Sequence, residues 1–242
     1  MDSQRLDKNR QATLNNFISE LRNAYQHNLI SVILYGSGAS GEFTSNYSNL
    51  NVLVVLASAD IKSLQAVTGV VNKAAYRRIA PIFLSENFIA GSSDVFPIEF
   101  MDMQENHLLL FGKDVFEGLT IETKNLRFQC EQELKSKLLN IKNAYLKISN
   151  DKAALRNLLF KSFTSVLHIL RNVLKVRGKA APYQKIEILR EVALEFHISI
   201  DAWKKILEAK SDALELSPKE TDDLFVKFMG ELEILTNIID AL

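Results

Sequence analysis

The sequence predicts an α+β chain: a mixed-sheet domain with helices over residues 1–119, followed by an all-α helical bundle over residues 120–242. Three observations carry this. Every short apolar run of strand character lies before about residue 120. Beyond it, apolar residues recur only at helical spacing. The 242 residues are 47% hydrophobic and 24% charged, the balance of a folded chain, and their number accommodates two domains of ordinary size.

Taken in order, Leu6, Leu14, Phe17, Ile18, Leu21 and Tyr25 fit the helical period and predict an opening amphipathic helix. Strands follow at about 30–36 and 50–57. Asp60 to Ile79 reads as one helix, with Leu64, Val67, Val70, Val71 and Ala74 on one side. Pro81 to Leu84 and Val95 to Met101 read as two more strands, and Leu108 to Asp114 as the exit from the domain. Long helical patterns then cover Leu126–Ile148 and Lys152–Val176. The second is apolar over so wide an arc that it should be the central member of a bundle. Gly178 and Pro182 end it. Shorter helices are expected over Lys185–Phe196 and Asp201–Ala213. In Ser217-Pro218-Lys219-Glu220 a serine cap, a first-turn proline and a glutamate three residues after the cap announce the last helix.

Composition narrows the function classes. Lysine plus arginine equals aspartate plus glutamate, 29 each, so no global charge recruits nucleic acid or an anionic membrane, and neither is an expected partner. The single Cys130 fits a reducing compartment. No apolar run reaches the ~18 residues of a membrane span, and Asp2 to Arg10 lacks the apolar core of a secretory signal. A cytoplasmic protein is expected. His27, His107 and His168 show no ligand spacing, so zinc is not expected. Lys73, Arg77 and Arg78 read as a solvated helix end.

The chemistry-bearing stretch is Leu34-Tyr35-Gly36-Ser37, followed after eleven residues by Asn49-Leu50-Asn51. Alternate residues of a strand share a face, so side chains 49 and 51 stand side by side where the second strand begins. This frame resembles that of the nucleotidyltransferase superfamily of DNA polymerase beta and kanamycin nucleotidyltransferase. There an apolar strand ends in Gly-Ser, and after about ten residues Asp-x-Asp enters the next strand. The resemblance implies a pair of carboxylates holding Mg2+ against nucleotide phosphates, a task that suits this hard, reluctantly dehydrated cation. Both positions read Asn here, a neutral amide. The loss of one strong transition-state contact typically costs about 3–4 kcal/mol, so nucleotidyl transfer is not expected. Many relatives carry Ala-Arg-Gly after Gly-Ser, where this chain has Ala39-Ser40-Gly41. In the superfamily a third carboxylate comes from a later strand of the same sheet. Glu99 is the first choice for that position and Asp102 the second. The second half resembles the helical domain of kanamycin nucleotidyltransferase-like proteins by architecture alone.

The resulting expectation is a degenerate nucleotidyltransferase. No intact catalytic set is expected at Asn49, Asn51 and Glu99, and no metal. Gly36 and Ser37 remain as the nucleotide-binding loop, their anion affinity helped by a short helix over Gly38 to Phe43. No cofactor is expected, Mg2+ and a nucleoside triphosphate entering only if activity is retained. The wealth of apolar helix, with the pairing common in the resembled architecture, leads to an expected homodimer. One alternative is an active enzyme moving a nucleoside monophosphate to a small molecule or protein through Glu99 or Asp102. A second is a bundle-type ribonuclease. Six residues separate Arg190 from His197, which matches an Arg–His pattern in which His acts as acid or base and Arg binds phosphate.

Overall fold

Aliphatic and β-branched residues dominate Leu29–Tyr35 (β1) and Leu50–Leu56 (β2), which pair antiparallel at the centre of a four-stranded mixed sheet. A computed structural model describes residues 8–40, 49–148, 151–211 and 213–242. Ile79–Ser85 (β3) runs parallel to β2, and His107–Gly112 (β4) runs antiparallel to β1, giving the order β3-β2-β1-β4. The central strands are covered on both faces, so they read as nearly continuous apolar runs. The chain divides into two units, Met1–Ile121 and Glu122–Leu242.

In the first unit, helices α1 (Lys8–Tyr25), α2 (Ser37–Ser40), α3 (Ile61–Gln65), α4 (Thr68–Tyr76), α5 (Glu86–Gly91) and α6 (Pro97–Glu105) connect and cover the strands. Leu14, Phe17 and Leu21 of α1, with Ala74 of α4, pack against Leu34, Val52 and Val54 on one face. Ile89 of α5 and Phe100 and Met103 of α6 pack against Ile33, Leu53 and Val55 on the other.

The single helix expected over Asp60 to Ile79 is broken into α3 and α4. Val67, Thr68 and Gly69 at the break are weak helix formers, and the Val67 side chain is drawn into the core. The strand expected over Val95 to Met101 is helix α6, so Glu99 and Asp102 are helical residues and not members of the sheet. Pro97 takes the first helical position, where its missing N–H costs nothing, and Met101, Met103, Gln104 and Glu105 are good helix formers. The fourth strand is instead β4, in the segment read as the domain's exit. Leu6, Gly41 and Phe43 lie outside the described residues, as does the rest of the spacer between Ser40 and Asn49.

The second unit holds α7 (Thr123–Ile148), α8 (Lys152–Val176), α9 (Lys185–Phe196), α10 (Asp201–Lys210) and α11 (Pro218–Asp240). Helix α8 packs against all four others, as its wide apolar arc requires. Trp203 of α10 fills the centre, its ring 5.9 Å from Phe163 and 5.1 Å from Phe228. Asp151 caps α8, and Ser217 with Glu220 forms a complete capping box on α11.

Candidate functional site

At the end of β1 the backbone turns at Gly36 with φ +70°, a left-handed conformation that disfavours any side chain. The Gly36 N–H donates to the Asn106 carbonyl at 3.0 Å. Its own carbonyl accepts from the Ala39 N–H at 2.9 Å, closing the single turn of α2. The turn lies flat on the sheet's end: a Cβ added to Gly38 would stand 3.3 Å from Leu34 Cδ1 and 3.5 Å from Leu50 Cδ2. The backbone of Ser37 opens α2, and its hydroxyl lies outside the described atoms.

Asn51 converges on this turn. A Cβ at position 36 would meet the Asn51 side-chain nitrogen at 3.4 Å, so the amide rests directly against the glycine. Asn49 immediately precedes β2 and is exposed. The structure therefore brings Gly36 and Asn51 together, with Asn49 one residue outside the strand.

The strand register extends this into a row. Asn51 is opposite Tyr35 on β1, and Tyr35 is opposite His107 on β4. On its other side Asn51 is level with Ala80 on β3. Residues in register share a face of the sheet, here the face that carries Ile33, Leu53 and Val55. The row thus reads Ala80, Asn51, Tyr35, His107, with neighbours about 5 Å apart. Neither strand neighbour of Asn51 is a carboxylate. Glu99 is an exposed residue of α6 and not a member of the sheet. Burial pushes the Tyr35 phenol above its ordinary range, which keeps it a neutral hydroxyl.

These residues do not fit a catalytic Mg2+. The methyl, amide, phenol and imidazole of the row, with the Asn49 amide beside it, supply no anionic oxygen, whereas Mg2+ is normally held through one or two carboxylates. Among the described residues, no group of three or more His, Cys, Asp or Glu side chains is gathered as a metal site.

His107 is fixed in place by neighbours that sequence reasoning missed. Its Nδ1 lies 2.9 Å from the Gln104 carbonyl and its Nε2 2.9 Å from Asp114 Oδ2. The two contacts together fix the orientation of the ring. Burial pushes the Asp114 carboxyl up, but the His107 contact and the Phe116 N–H outweigh it and hold the carboxyl below its ordinary value. Gln104 Nε2 in turn donates to the Phe116 and Leu119 carbonyls at 3.3 and 3.1 Å. The network ties α6, β4 and the following loop together. Its only signal in the sequence was a histidine and an aspartate seven residues apart.

The basic cluster is exposed at the end of α4, where Arg77 lies 3.6 Å from Glu20. Arg78 turns left-handed (φ +59°), and its carbonyl accepts the Leu50 N–H at 2.8 Å, closing the ladder beside Asn51. In the second unit, Arg190 is exposed and ion-paired with Glu187 at 2.5 Å. His197 ends α9 in a left-handed conformation, so it has left the helical stripe that carries Arg190.

No family model matches the chain, and no curated protein does. Solved structures define the class: the chain has a nucleotidyltransferase-like fold. One structure it resembles is the spectinomycin adenyltransferase AAD(9) from Enterococcus faecialis, crystallised with ATP and spectinomycin. The likeness has a TM-score of 0.61 at 14% identity, over 92% of this chain and 99% of that one. No helix among the described residues is long and apolar enough to cross a membrane.

Proposed function

We propose that this protein binds a nucleotide through its phosphates at the Gly36 turn and does not carry out metal-dependent nucleotidyl transfer. The observation that carries the reading is the Asn51 amide resting against Gly36, within a row that holds no carboxylate. A carboxylate only accepts hydrogen bonds and needs a metal to bridge it to a phosphate. An asparagine amide donates, and so reaches a phosphate oxygen directly. Replacing Asp by Asn at 49 and 51 therefore removes two negative charges that would repel the ligand without their metal. The ATP in the structurally similar adenyltransferase supports a nucleotide as the ligand class.

The test is calorimetric titration with ATP, GTP, CTP and UTP, in EDTA and in Mg2+, beside a transfer assay with labelled nucleotides. Binding should occur in EDTA and gain nothing from Mg2+, and no label should reach an acceptor or the protein. Robust transfer abolished by Glu99→Gln would replace this reading with the active-enzyme alternative. Absence of binding to all four nucleotides would also overturn it.

A further inference from the structure

We infer that the crevice at the carboxyl ends of β2 and β3 is a second small-molecule site, which takes an uncharged heteroaromatic ring carrying an amino or amide group. The two strands are parallel neighbours and end together at Leu56 and Ser85. From β2 the chain leaves through α3 and α4, and Val67 and Ala74 of this connection pack on the sheet face that carries Leu34 and Val54. From β3 it leaves through α5, whose Ile89 packs on the opposite face. Parallel neighbours whose connections depart to opposite faces leave a crevice beyond their carboxyl ends, the usual ligand position in open α/β sheets. Here the crevice is a cavity of about 490 Å³, within the range of small-molecule sites. It lies at the far end of β2 from Asn51 and the Gly36 turn, roughly 17 Å along the strand.

The lining suits a flat ring. Ala57, Ser58 and Ala59 bring small side chains that leave room beyond the strand end, and Phe83 and Phe88 bring aromatic walls. Phe83 is braced edge-on by Tyr25, ring centres 6.3 Å apart, and the Tyr25 hydroxyl donates to the Ser63 carbonyl at 3.0 Å. Phe88 lies 6.0 Å from Phe96 yet remains 43% exposed. The Ser58 side is held in place beforehand. Asn28 Oδ1 accepts the Ser58 N–H at 2.9 Å, and Asn28 Nδ2 donates to the Ser58 carbonyl at 3.0 Å.

Charge decides the class of ring. Among the described residues, no Lys, Arg, Asp or Glu lines the cavity. Ser58 Oγ donates to Asp60 Oδ2 at 3.4 Å, and the Ser63 N–H holds that carboxyl below its ordinary value. A negative charge thus stands beside the crevice with no lining cation, which disfavours an anion. The lining polar groups are neutral. Ser85 Oγ accepts the Phe88 N–H at 3.1 Å, a contact that uses a lone pair and leaves its O–H to donate. Asn87 adds an exposed amide, which donates and accepts. An uncharged ring can stack on an aromatic wall through its face and hydrogen-bond these groups through its edge.

The experiment is a titration of the full-length, isotope-labelled protein with nicotinamide, adenine and nicotinate, followed by backbone amide shifts in NMR. Nicotinamide and adenine should move residues 57–59 and 83–88 and saturate in the millimolar range. Nicotinate, which differs from nicotinamide by its charge, should bind at least tenfold more weakly. Phe88→Ala should weaken nicotinamide binding roughly fivefold or more, and Asn87→Ala roughly threefold. Both positions are exposed, so the melting temperature should stay near that of wild type. Asn51→Ala should leave ring binding unchanged, which separates this site from the Gly36 turn. Absence of shifts at residues 57–59 and 83–88 up to tens of millimolar, equal affinity for nicotinate, or indifference of both Phe88→Ala and Asn87→Ala would overturn the proposal. Equal weakening by Asn51→Ala would overturn it too, because the ring would then be bound at the other end of the strand.

Discussion

Introducing carboxylates at and beside the row should create a metal response that the wild-type protein lacks. The variant is Asn49→Asp, Asn51→Asp and Ala80→Asp, because Ala80 is the β3 residue in register with Asn51. Adjacent residues on neighbouring strands are about 5 Å apart. At that separation two carboxylates repel by roughly 1 kcal/mol in a water-like medium and roughly 3 kcal/mol at an effective dielectric of ~20. Asn49 is exposed and Asn51 half-buried, so the variant falls between these limits. At ~2–4 °C per kcal/mol it should melt several degrees below wild type in EDTA. A bound Mg2+ at ten times its dissociation constant stabilises by about 1.4 kcal/mol, which should return about 3–6 °C. Differential scanning fluorimetry in EDTA, MgCl2 and KCl of matched ionic strength reads this directly. A triple variant indifferent to Mg2+ would refute the convergence of these positions. A wild-type protein stabilised by Mg2+ beyond its KCl control would refute the claim that the row does not fit the metal.

Three further outcomes follow from the geometry. Gly112→Ala should cost at least ~3 kcal/mol in thermal unfolding, since Gly112 has φ +83° and an added Cβ would stand 1.9 Å from the Ile30 carbonyl oxygen. Asp114→Asn should cost about 1–2 kcal/mol near neutral pH, discounted for the partial exposure of the pair. The folded Asp114 carboxyl is depressed, so its stabilisation is present above the ordinary 3.8 and is lost as pH falls through the lower folded value; the variant should flatten that acid limb of the melting profile. Burial pushes the Glu231 carboxyl up, partly countered by the facing Trp203 indole, so stability falls as pH rises from the ordinary 4.5 through the raised value. Glu231→Gln should accordingly raise the melting temperature at pH 8 more than at pH 4, and a lower melting temperature at pH 8 would show that the charge is stabilising.

The fold was legible where local chemistry and burial agree. Residues 30–36 and 50–57 are short runs rich in valine, isoleucine and leucine and bounded by turn residues, a length and composition that favour buried strands over helices. The Ser217–Glu220 signature marked α11 because capping depends on four consecutive residues. The segment Phe96 to Phe111 was not legible. Its Ile98–Phe100 alternation is too short to separate a strand from the buried side of a helix, and Leu108–Phe111 is a strand only because β1 offers it an edge. Arbitration came from tertiary pairing, which leaves no periodic trace in so short a run.

The site divides the same way. Asn49 and Asn51 could be found because Gly-Ser anchors them at a fixed distance along the chain. Ala80 could not, because its place beside Asn51 depends on the parallel pairing of β3 and β2 after an intervening pair of helices. A methyl group also announces no chemistry. Persistence of the Gly36 turn is weaker evidence for ligand binding than it looks in the sequence. The turn is held by the Asn106 carbonyl and by packing of Gly38 on Leu34 and Leu50, contacts that need neither metal nor nucleotide. Asn51 is the residue that separates the two roles. If its amide donates to a phosphate oxygen, Asn51→Ala removes a charge-assisted hydrogen bond of about 1.5–3 kcal/mol, weakening nucleotide binding about 10- to 100-fold. Nothing in that contact requires the fold to suffer, so the melting temperature without nucleotide should stay close to wild type. Titration and melting of the same preparation test both halves. Unchanged affinity with a lowered melting temperature would make Asn51 a brace for the turn and would remove the phosphate from the proposed site.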